Sequence, residues 1–123
     1  MINLKNKIVL VLEDDPERIK QFKKRLIGNT FQIVSDADAA ILALTYNKWD
    51  VLFLDHDLGG ETYVPSSNAN TGYQVAKFLH DNPKYKPSEA IIIHSLNPGG
   101  AENMQAVLPE AYRIPFAWTK INI

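Results

Sequence analysis

An apolar run followed at once by charged residues limits the folds that this chain can adopt. The run is Val51-Leu52-Phe53-Leu54, and the segment after it is Asp55-His56-Asp57-Leu58-Gly59-Gly60. An uninterrupted apolar run bounded by turn signals is typical of a strand buried on both faces. Open α/β sheets keep their active sites outside the carboxyl ends of such strands. Asp55, His56 and Asp57 are therefore the first candidates for a functional site.

Further segments extend this strand into an alternating pattern. Strand-like apolar runs occupy residues 8–12, 31–34, 51–54, 90–93 and 111–114, and apolar residues recur at helical spacing after each of the first four. Strict alternation predicts an α/β fold with a doubly wound, five-stranded parallel sheet. Only seven residues follow Phe116, so the last helix of such a fold is expected to be missing or reduced to a stub.

The helix boundaries are predicted from capping residues and apolar faces. The expected caps are Asp15, Ser35, Thr71 in a capping box with Gln74, and Asn97 before a proline. The first helix should end at Gly28-Asn29, with an apolar face made by Ile19, Phe22, Leu26 and Ile27.

Length and composition limit the protein class. The chain of 123 residues suits a single domain, residues 1–123, with one long polar loop at 59–70 that is typical of a lid or binding loop. A net charge of -1 argues against a broad nucleic-acid-binding surface, and the absence of cysteine excludes disulfides and thiol catalysis. No run approaches the roughly 18 apolar residues of a membrane helix, and no signal peptide is evident. We therefore expect a cytoplasmic protein that does not contact a membrane.

Three polar segments should converge, because the carboxyl ends of parallel strands lie at one edge of the sheet. They are Glu13-Asp14-Asp15, Asp55-His56-Asp57 and His94-Ser95. Neighbouring carboxylates remain ionised most easily around a cation, and oxygen-only ligands suit Mg²⁺, Mn²⁺ or Ca²⁺, of which Mg²⁺ is the predicted ion. Glu13, Asp14 and Asp55 are the predicted ligands, whereas Asp15 is better explained as a helix cap and Asp57 has an alternative role as a turn residue.

Two histidines at strand ends indicate proton-transfer chemistry. His56 and His94 could act as general base and general acid near a phosphate, whereas His80 is expected to lie in solvent at a helix end. Adjacent strand residues point to opposite faces, so one member of each pair, Asp55/His56 and His94/Ser95, should point away from the site if the strands stay regular. The relative placement of the two rings is thus decisive.

Phosphate-binding groups are predicted after the fourth strand. Ser95 can donate a hydrogen bond to a phosphoryl oxygen. Asn97 can do the same or cap the helix, and capping is preferred. Gly99, with the following glycine, lies at a helix N-terminus that can cradle an anion.

Several of these segments resemble the receiver domain of response regulators. The similar segments are Val9-Leu10-Val11-Leu12-Glu13-Asp14-Asp15-Pro16, Asp50-Val51-Leu52-Phe53-Leu54-Asp55 and Ile91-Ile92-Ile93-His94-Ser95. The resemblance implies that Asp55 accepts a phosphoryl group, that Glu13, Asp14 and Asp55 hold Mg²⁺, and that Ser95 is the switch residue. The chain departs from the pattern at Ile114-Pro115, where receivers place lysine before proline, and in its longer loop.

A divergent receiver-like family resembles the chain more specifically. The resemblance rests on residues 54–60, Thr71-Gly72-Tyr73 and residues 94–104. That family is proposed to process cyclic phosphates at RNA ends in bacterial and phage conflict or RNA-repair systems. The resemblance implies a reaction at a 2′,3′-cyclic phosphate of an RNA end or a related cyclic nucleotide. The candidate catalytic residues are then His56, His94, Asp55, Asp57 and Ser95.

Three functions remain open. They are a phosphodiesterase with a His56–His94 pair, a phospho-accepting module that uses Asp55, and a non-catalytic nucleotide- or partner-binding module with residues 61–70 as a lid. Facing histidine rings would favour the enzyme, and rings on opposite faces of the sheet would favour a modified receiver.

Overall fold

A computed structural model describes residues 2–115 and 121–122. The elements in chain order are β1 (Ile2–Asn3), β2 (Ile8–Leu12), α1 (Pro16–Arg25), β3 (Thr30–Val34), α2 (Ala37–Tyr46), β4 (Val51–Leu54), α3 (Gly72–Asp81), β5 (Ala90–Ile93), α4 (Pro98–Val107), β6 (Tyr112–Arg113) and β7 (Ile121–Asn122). A single 3₁₀ turn, Pro83–Tyr85, follows α3. None of the helices within these residues has the length and apolarity of a membrane span.

The main sheet has five parallel strands in the order β3-β2-β4-β5-β6. This order confirms the doubly wound parallel sheet. The predicted fifth strand is shorter than expected, since only two residues of 111–114 pair with β5. A separate two-stranded parallel sheet joins β1 to β7. These strands were not predicted, because a strand of two residues is too short to show a sequence pattern. The expected loss or reduction of the last helix concerns mainly residues 116–120 and 123, which lie outside the described residues.

Side chains of the strands alternate between two apolar layers. One layer lies under α2, α3 and α4, and its strand residues are Leu10, Leu12, Val34, Leu52, Leu54, Ile91 and Ile93. The other lies under α1, where Phe22 and Leu26 pack on Val9, Val11, Val51, Phe53 and Ile92. We refer to these as the α2–α4 face and the α1 face. The period of two along each strand assigns every residue at the carboxyl edge to one of them.

Two predicted caps are confirmed. The side chain of Asp15 accepts a hydrogen bond from the backbone N–H of Arg18 at 2.9 Å, and Asn97 accepts one from Gly100 at 3.0 Å. Each cap satisfies one of the backbone donors that the first turn of a helix leaves without a partner. In this way α1 and α4 begin directly behind the strands that carry the candidate site.

Other details of the helices differ from the predictions. The cap of α2 is Asp36, whose carboxylate accepts from Ala39 N at 2.7 Å, and not Ser35. Thr71 precedes α3 but forms no capping bond, because its hydroxyl donates to Asn68 O. Ile27 is 76% exposed, since α1 ends before it and helical spacing no longer applies.

Candidate functional site

The strand register aligns three polar residues at the carboxyl edge. Val11, Phe53 and Ile92 are partners across β2, β4 and β5. Two residues further on, Glu13, Asp55 and His94 extend that row on the α1 face. The ladders continue to this level, because Asp55 N donates to Leu12 O and His94 N donates to Leu54 O. All three side chains are buried, and we call them the buried row.

Arg18 neutralises part of the charge of the buried row. Its Nε lies 2.5 Å from Glu13 Oε1, and its Nη2 lies 3.6 Å from Asp55 Oδ2. His94 Nε2 is 3.3 Å from Glu13 Oε1. Arg18 was not among the residues predicted from the sequence, although its position in the first turn of α1, five residues after Glu13, was an available signal. The guanidinium thus lies between two buried carboxylates.

The two carboxylates respond to this environment in opposite ways. Burial raises the pKa of Glu13, but hydrogen bonds from His94 and Arg18 outweigh it and lower that pKa to about 2. Burial and the neighbouring negative charge of Glu13 raise the pKa of Asp55 to about 8. Burial also lowers the pKa of His94. One carboxylate of the row is therefore ionised at neutral pH, while the other retains a proton.

His56 lies on the α2–α4 face and is fully buried. Its Nδ1 is 2.7 Å from Asp57 Oδ1, and its Nε2 is 2.8 Å from Ser66 Oγ. Asn97 Nδ2 donates to the same Asp57 oxygen at 3.0 Å. A Cβ atom on Gly100 would lie 2.4 Å from His56 Cγ, so the ring packs directly against the backbone of α4. His56 and Asp57 were predicted from the sequence as site residues, whereas Ser66 was not.

The structure does not bring His56 and His94 together. The His94 ring packs edge-on against Phe22 on the α1 face, with ring centroids 5.2 Å apart. His56 contacts the loop and α4 on the other side of the sheet. Regular alternation through the strand ends separates them, as residues 56 and 94 belong to different register rows. The interpretation of the two histidines as one acid–base pair is not supported by this arrangement.

Two acids organise the loop at 59–70. Asp57 accepts hydrogen bonds from Tyr63 N at 2.6 Å and Val64 N at 3.2 Å, and Asp14 accepts one from Gly60 N at 2.6 Å. Partial burial raises the pKa of Asp57, but its hydrogen bonds from His56, Asn97 and the two backbone N–H groups outweigh this and lower it. Asp57 is thus both a turn residue and the partner of His56.

A cleft of about 320 Å³ opens beside these residues at the carboxyl edge of the sheet. It is lined by Asp14, Asp15, Pro16, Arg18, Asp55, Asp57, Gly60, Glu61, Thr62, Tyr63, Ser95, Leu96 and Asn97. Glu13, His56, His94 and Gly99 do not line it, and Gly99 is exposed on the first turn of α4. The Ser95 hydroxyl accepts a hydrogen bond from Asn97 N at 3.0 Å. A larger cleft, about 470 Å³, lies beside Tyr46 and Tyr85, away from these residues.

Two remaining sequence features are resolved by the structure. His80 is exposed in the last turn of α3, in agreement with the prediction. Ile114, which stands where receivers have a lysine, is buried in the α1-face core. Arg18 is the cation that the described residues place beside Asp55.

Sheet order and an acidic cluster at the carboxyl edge together define a receiver-like domain. The family model described as the cyclic-phosphate processing receiver domain matches residues 8–110, and the chain belongs to this family. None of the curated proteins compared with the sequence matches it.

Solved structures of response regulators share the fold. TrrA from Thermotoga maritima, in complex with Mg²⁺-BeF, is 18% identical with a TM-score of 0.68, over 93% of this chain and 91% of that one. A Burkholderia pseudomallei response regulator with a phosphorylated aspartic acid, calcium and citrate is 17% identical with a TM-score of 0.68, over 90% of this chain and 61% of that one. The receiver domain of a Luxo repressor protein from Vibrio parahaemolyticus is 17% identical with a TM-score of 0.66, over 91% and 80% of the two chains.

Proposed function

We propose that this receiver domain hydrolyses a cyclic phosphodiester, with His56 and Asp57 as its proton-transfer pair. The observation that carries the proposal is the contact of His56 Nδ1 with the Asp57 carboxylate at 2.7 Å. A carboxylate at Nδ1 holds the proton there and leaves Nε2 free to accept one. In the structure the hydroxyl of Ser66 occupies the position at Nε2. That hydroxyl marks where an attacking water would lie once the loop shifts.

The reaction is a hydrolysis in which one P–O bond is exchanged for another. Water gives a proton to His56 Nε2 while its oxygen bonds to phosphorus. The bond from phosphorus to one ribose oxygen breaks, and that oxygen takes a proton from His56 or solvent, which leaves a phosphomonoester. The substrate would be an RNA end with a 2′,3′-cyclic phosphate or a free cyclic nucleotide. Arg18, Ser95 and Asn97 line the cleft beside Asp57 and would offer donors to its phosphate oxygens. Because His56 is buried and does not line the cleft, the same shift of the loop has to open the His56 side to the substrate.

A divalent cation is compatible with the acidic end of this cleft. Asp55 Oδ2 is buried and accepts no hydrogen bond from the described residues, so it has capacity for a ligand. The sequence prediction assigns Mg²⁺ to Glu13, Asp14 and Asp55. A bound cation would neutralise charge on the phosphate. The complex of the Thermotoga receiver with Mg²⁺-BeF supports this part of the proposal.

Turnover of a defined substrate tests the proposal. The purified protein is incubated with 2′,3′-cyclic AMP and with an RNA oligonucleotide that ends in a 2′,3′-cyclic phosphate, and the monoester is measured by ³¹P NMR or chromatography. Loss of a general base typically costs about 10²–10⁴-fold in rate. His56→Gln and Asp57→Asn should each fall in that range. His80→Gln, a control at an exposed histidine, should retain full activity, and absence of turnover by the unsubstituted protein on both substrates refutes the proposal.

A second candidate is a phospho-accepting module at Asp55. It is favoured by the position of Asp55 in the cleft beside Ser95, and by the Burkholderia relative with a phosphorylated aspartic acid. Beryllium fluoride with Mg²⁺ would then shift the NMR resonances of Ser95 without any phosphodiester turnover. A third outcome, calorimetric binding of nucleotides with neither turnover nor a beryllofluoride response, would indicate a binding module.

A further inference from the structure

We propose that the buried row of Glu13, Asp55 and His94 binds a divalent transition-metal ion such as Zn²⁺ in preference to Mg²⁺, in exchange for the Arg18 guanidinium. The third ligand in this site is His94, where the sequence prediction has Asp14. The inference concerns metal binding alone and holds whether or not the domain hydrolyses cyclic phosphates.

The geometry of the row suits a shared ion. One ligand atom from each side chain can be chosen so that all three lie within 4.8 Å of one another. Two ligands of a tetrahedral zinc ion lie about 3.4 Å apart, since each bond is close to 2.1 Å. A combined side-chain adjustment of at most about 1.4 Å between the most distant pair of ligand atoms therefore closes the site. The cross-strand register supplies this proximity through the backbone ladder, so the site is largely preformed.

The charges of the row favour a divalent ion. Glu13 and Asp55 together offer two carboxylates, but a single guanidinium is shared between them. Asp55 Oδ2 is buried and accepts no hydrogen bond from the described residues. A buried polar atom without a hydrogen bond is costly unless another partner satisfies it. An ion of charge +2 would displace the proton of Asp55 into solvent, balance the two carboxylates and bind this oxygen.

His94 decides which metal the row prefers. Mg²⁺ favours oxygen ligands, whereas imidazole suits Zn²⁺ and other first-row metals. Asp14 is not part of this group of three, and its carboxylate instead accepts a hydrogen bond from Gly60 N in the loop. The mixed set of two carboxylates and one imidazole therefore favours a transition metal.

Arg18 is the group that has to leave. It extends from the first turn of α1, and its side chain is 29% exposed. Both Arg18 and Asp55 line the cleft at the carboxyl edge. An ion can reach Asp55 through the cleft, and the displaced guanidinium can turn into the same space. The arginine then acts as an internal cation that holds the two carboxylates when metal is absent.

The test is calorimetry with ZnCl₂ and MgCl₂ on the whole protein, without any phosphate compound. We expect Zn²⁺ to bind at least tenfold more tightly than Mg²⁺. His94→Gln should weaken Zn²⁺ binding at least tenfold, while His80→Gln, the exposed-histidine control, leaves it unchanged. Arg18→Gln should tighten it about threefold or more, because the competing cation is removed. Unchanged affinity in the Arg18 variant overturns the exchange.

A second measurement does not depend on folding of the His94 variant. Zn²⁺ should shift the ¹⁵N resonance of the His94 ring nitrogen that faces Glu13 in the unsubstituted protein. If Mg²⁺ binds as tightly as Zn²⁺ and this resonance does not move, the ligands are the acids alone and the inference is wrong. If Zn²⁺ shifts only the resonances of His56 or His80, the buried row is not the metal site. Because no substrate is present, either failure is separate from failure of the hydrolase proposal.

Discussion

Gly100 should not tolerate alanine, although alanine is the better helix former. A Cβ atom at this position would lie 2.4 Å from His56 Cγ and 2.6 Å from both His56 Cδ2 and His56 Nδ1. Real Cβ atoms essentially never approach another atom within 3.0 Å. The ring or the helix must therefore move by at least about 0.6 Å, measured against that limit.

The His56 ring has little freedom to make this movement. It is fully buried and is held at its two nitrogens by Asp57 and Ser66. Overpacking of a buried position costs about 1–3 kcal/mol, and loss of one hydrogen bond costs about 1 kcal/mol more. A gain of up to about 1 kcal/mol from replacing a helical glycine offsets part of this. We expect Gly100→Ala to lower the free energy of unfolding by about 1–3 kcal/mol.

Gly99→Ala is the matched control one residue earlier. Its Cβ atom would have Asn97 Oδ1 as its nearest neighbour at 3.7 Å, an ordinary contact. The same chemical change should be neutral or stabilise by up to about 1 kcal/mol. Urea denaturation followed by far-UV circular dichroism measures both variants, and the His56 ring resonances report displacement of the ring. If the two variants are equally stable and the His56 resonances do not move, the packing of His56 against α4 is wrong.

Three further predictions concern the charges and the loop. Folding raises the pKa of Asp55 to about 8, so this group stabilises the fold below the unfolded pKa and loses that contribution as pH rises towards 8. Asp55→Asn should therefore flatten the decline in unfolding free energy between about pH 5 and about pH 8, whereas an unchanged slope in urea titrations would contradict the raised pKa. Arg18→Gln should destabilise by about 2 kcal/mol, because the charged hydrogen bond to a buried carboxylate is lost, while the exposed Lys20→Gln should have no effect in the same titration. Ser66→Ala should cost about 1 kcal/mol and accelerate hydrogen exchange in residues 59–70, whereas equal exchange in the exposed control Ser67→Ala would show that the contact with His56 does not hold the loop.

The fold was largely predictable because its strands carry a local signal. The three central strands, β2, β4 and β5, are largely buried, so each is an apolar run that can be recognised without knowledge of the rest of the chain. The caps at Asp15 and Asn97 were also predictable from local sequence, since the cap side chain accepts a hydrogen bond from the backbone only three residues later. The pairing of β1 with β7 escaped prediction, because strands of two residues leave no period and depend on a partner more than one hundred residues away.

The candidate site was predictable in its residues but not in their grouping. A prediction from residue type alone groups the acids together and the histidines together, and on that basis His56 and His94 were expected to form a pair. The structure groups side chains by face instead, so that His94 joins Glu13 and Asp55 while His56 joins Asp57. The alternation of side chains along a strand indicated that the two histidines could lie on opposite faces of the sheet, because adjacent residues at a strand end point in opposite directions.

The sequence by itself determined the alternation of strands and helices and the location of polar residues at one edge of the sheet. It also determined which residues of each strand share a face of the sheet. Only the tertiary structure decided which residues meet there. Strand register aligned Glu13, Asp55 and His94 in one row, α1 brought Arg18 to that row, and the loop brought Ser66 to His56. These contacts join residues distant in the chain, and the packing of helices and loops on the sheet, which no local pattern records, sets their distances.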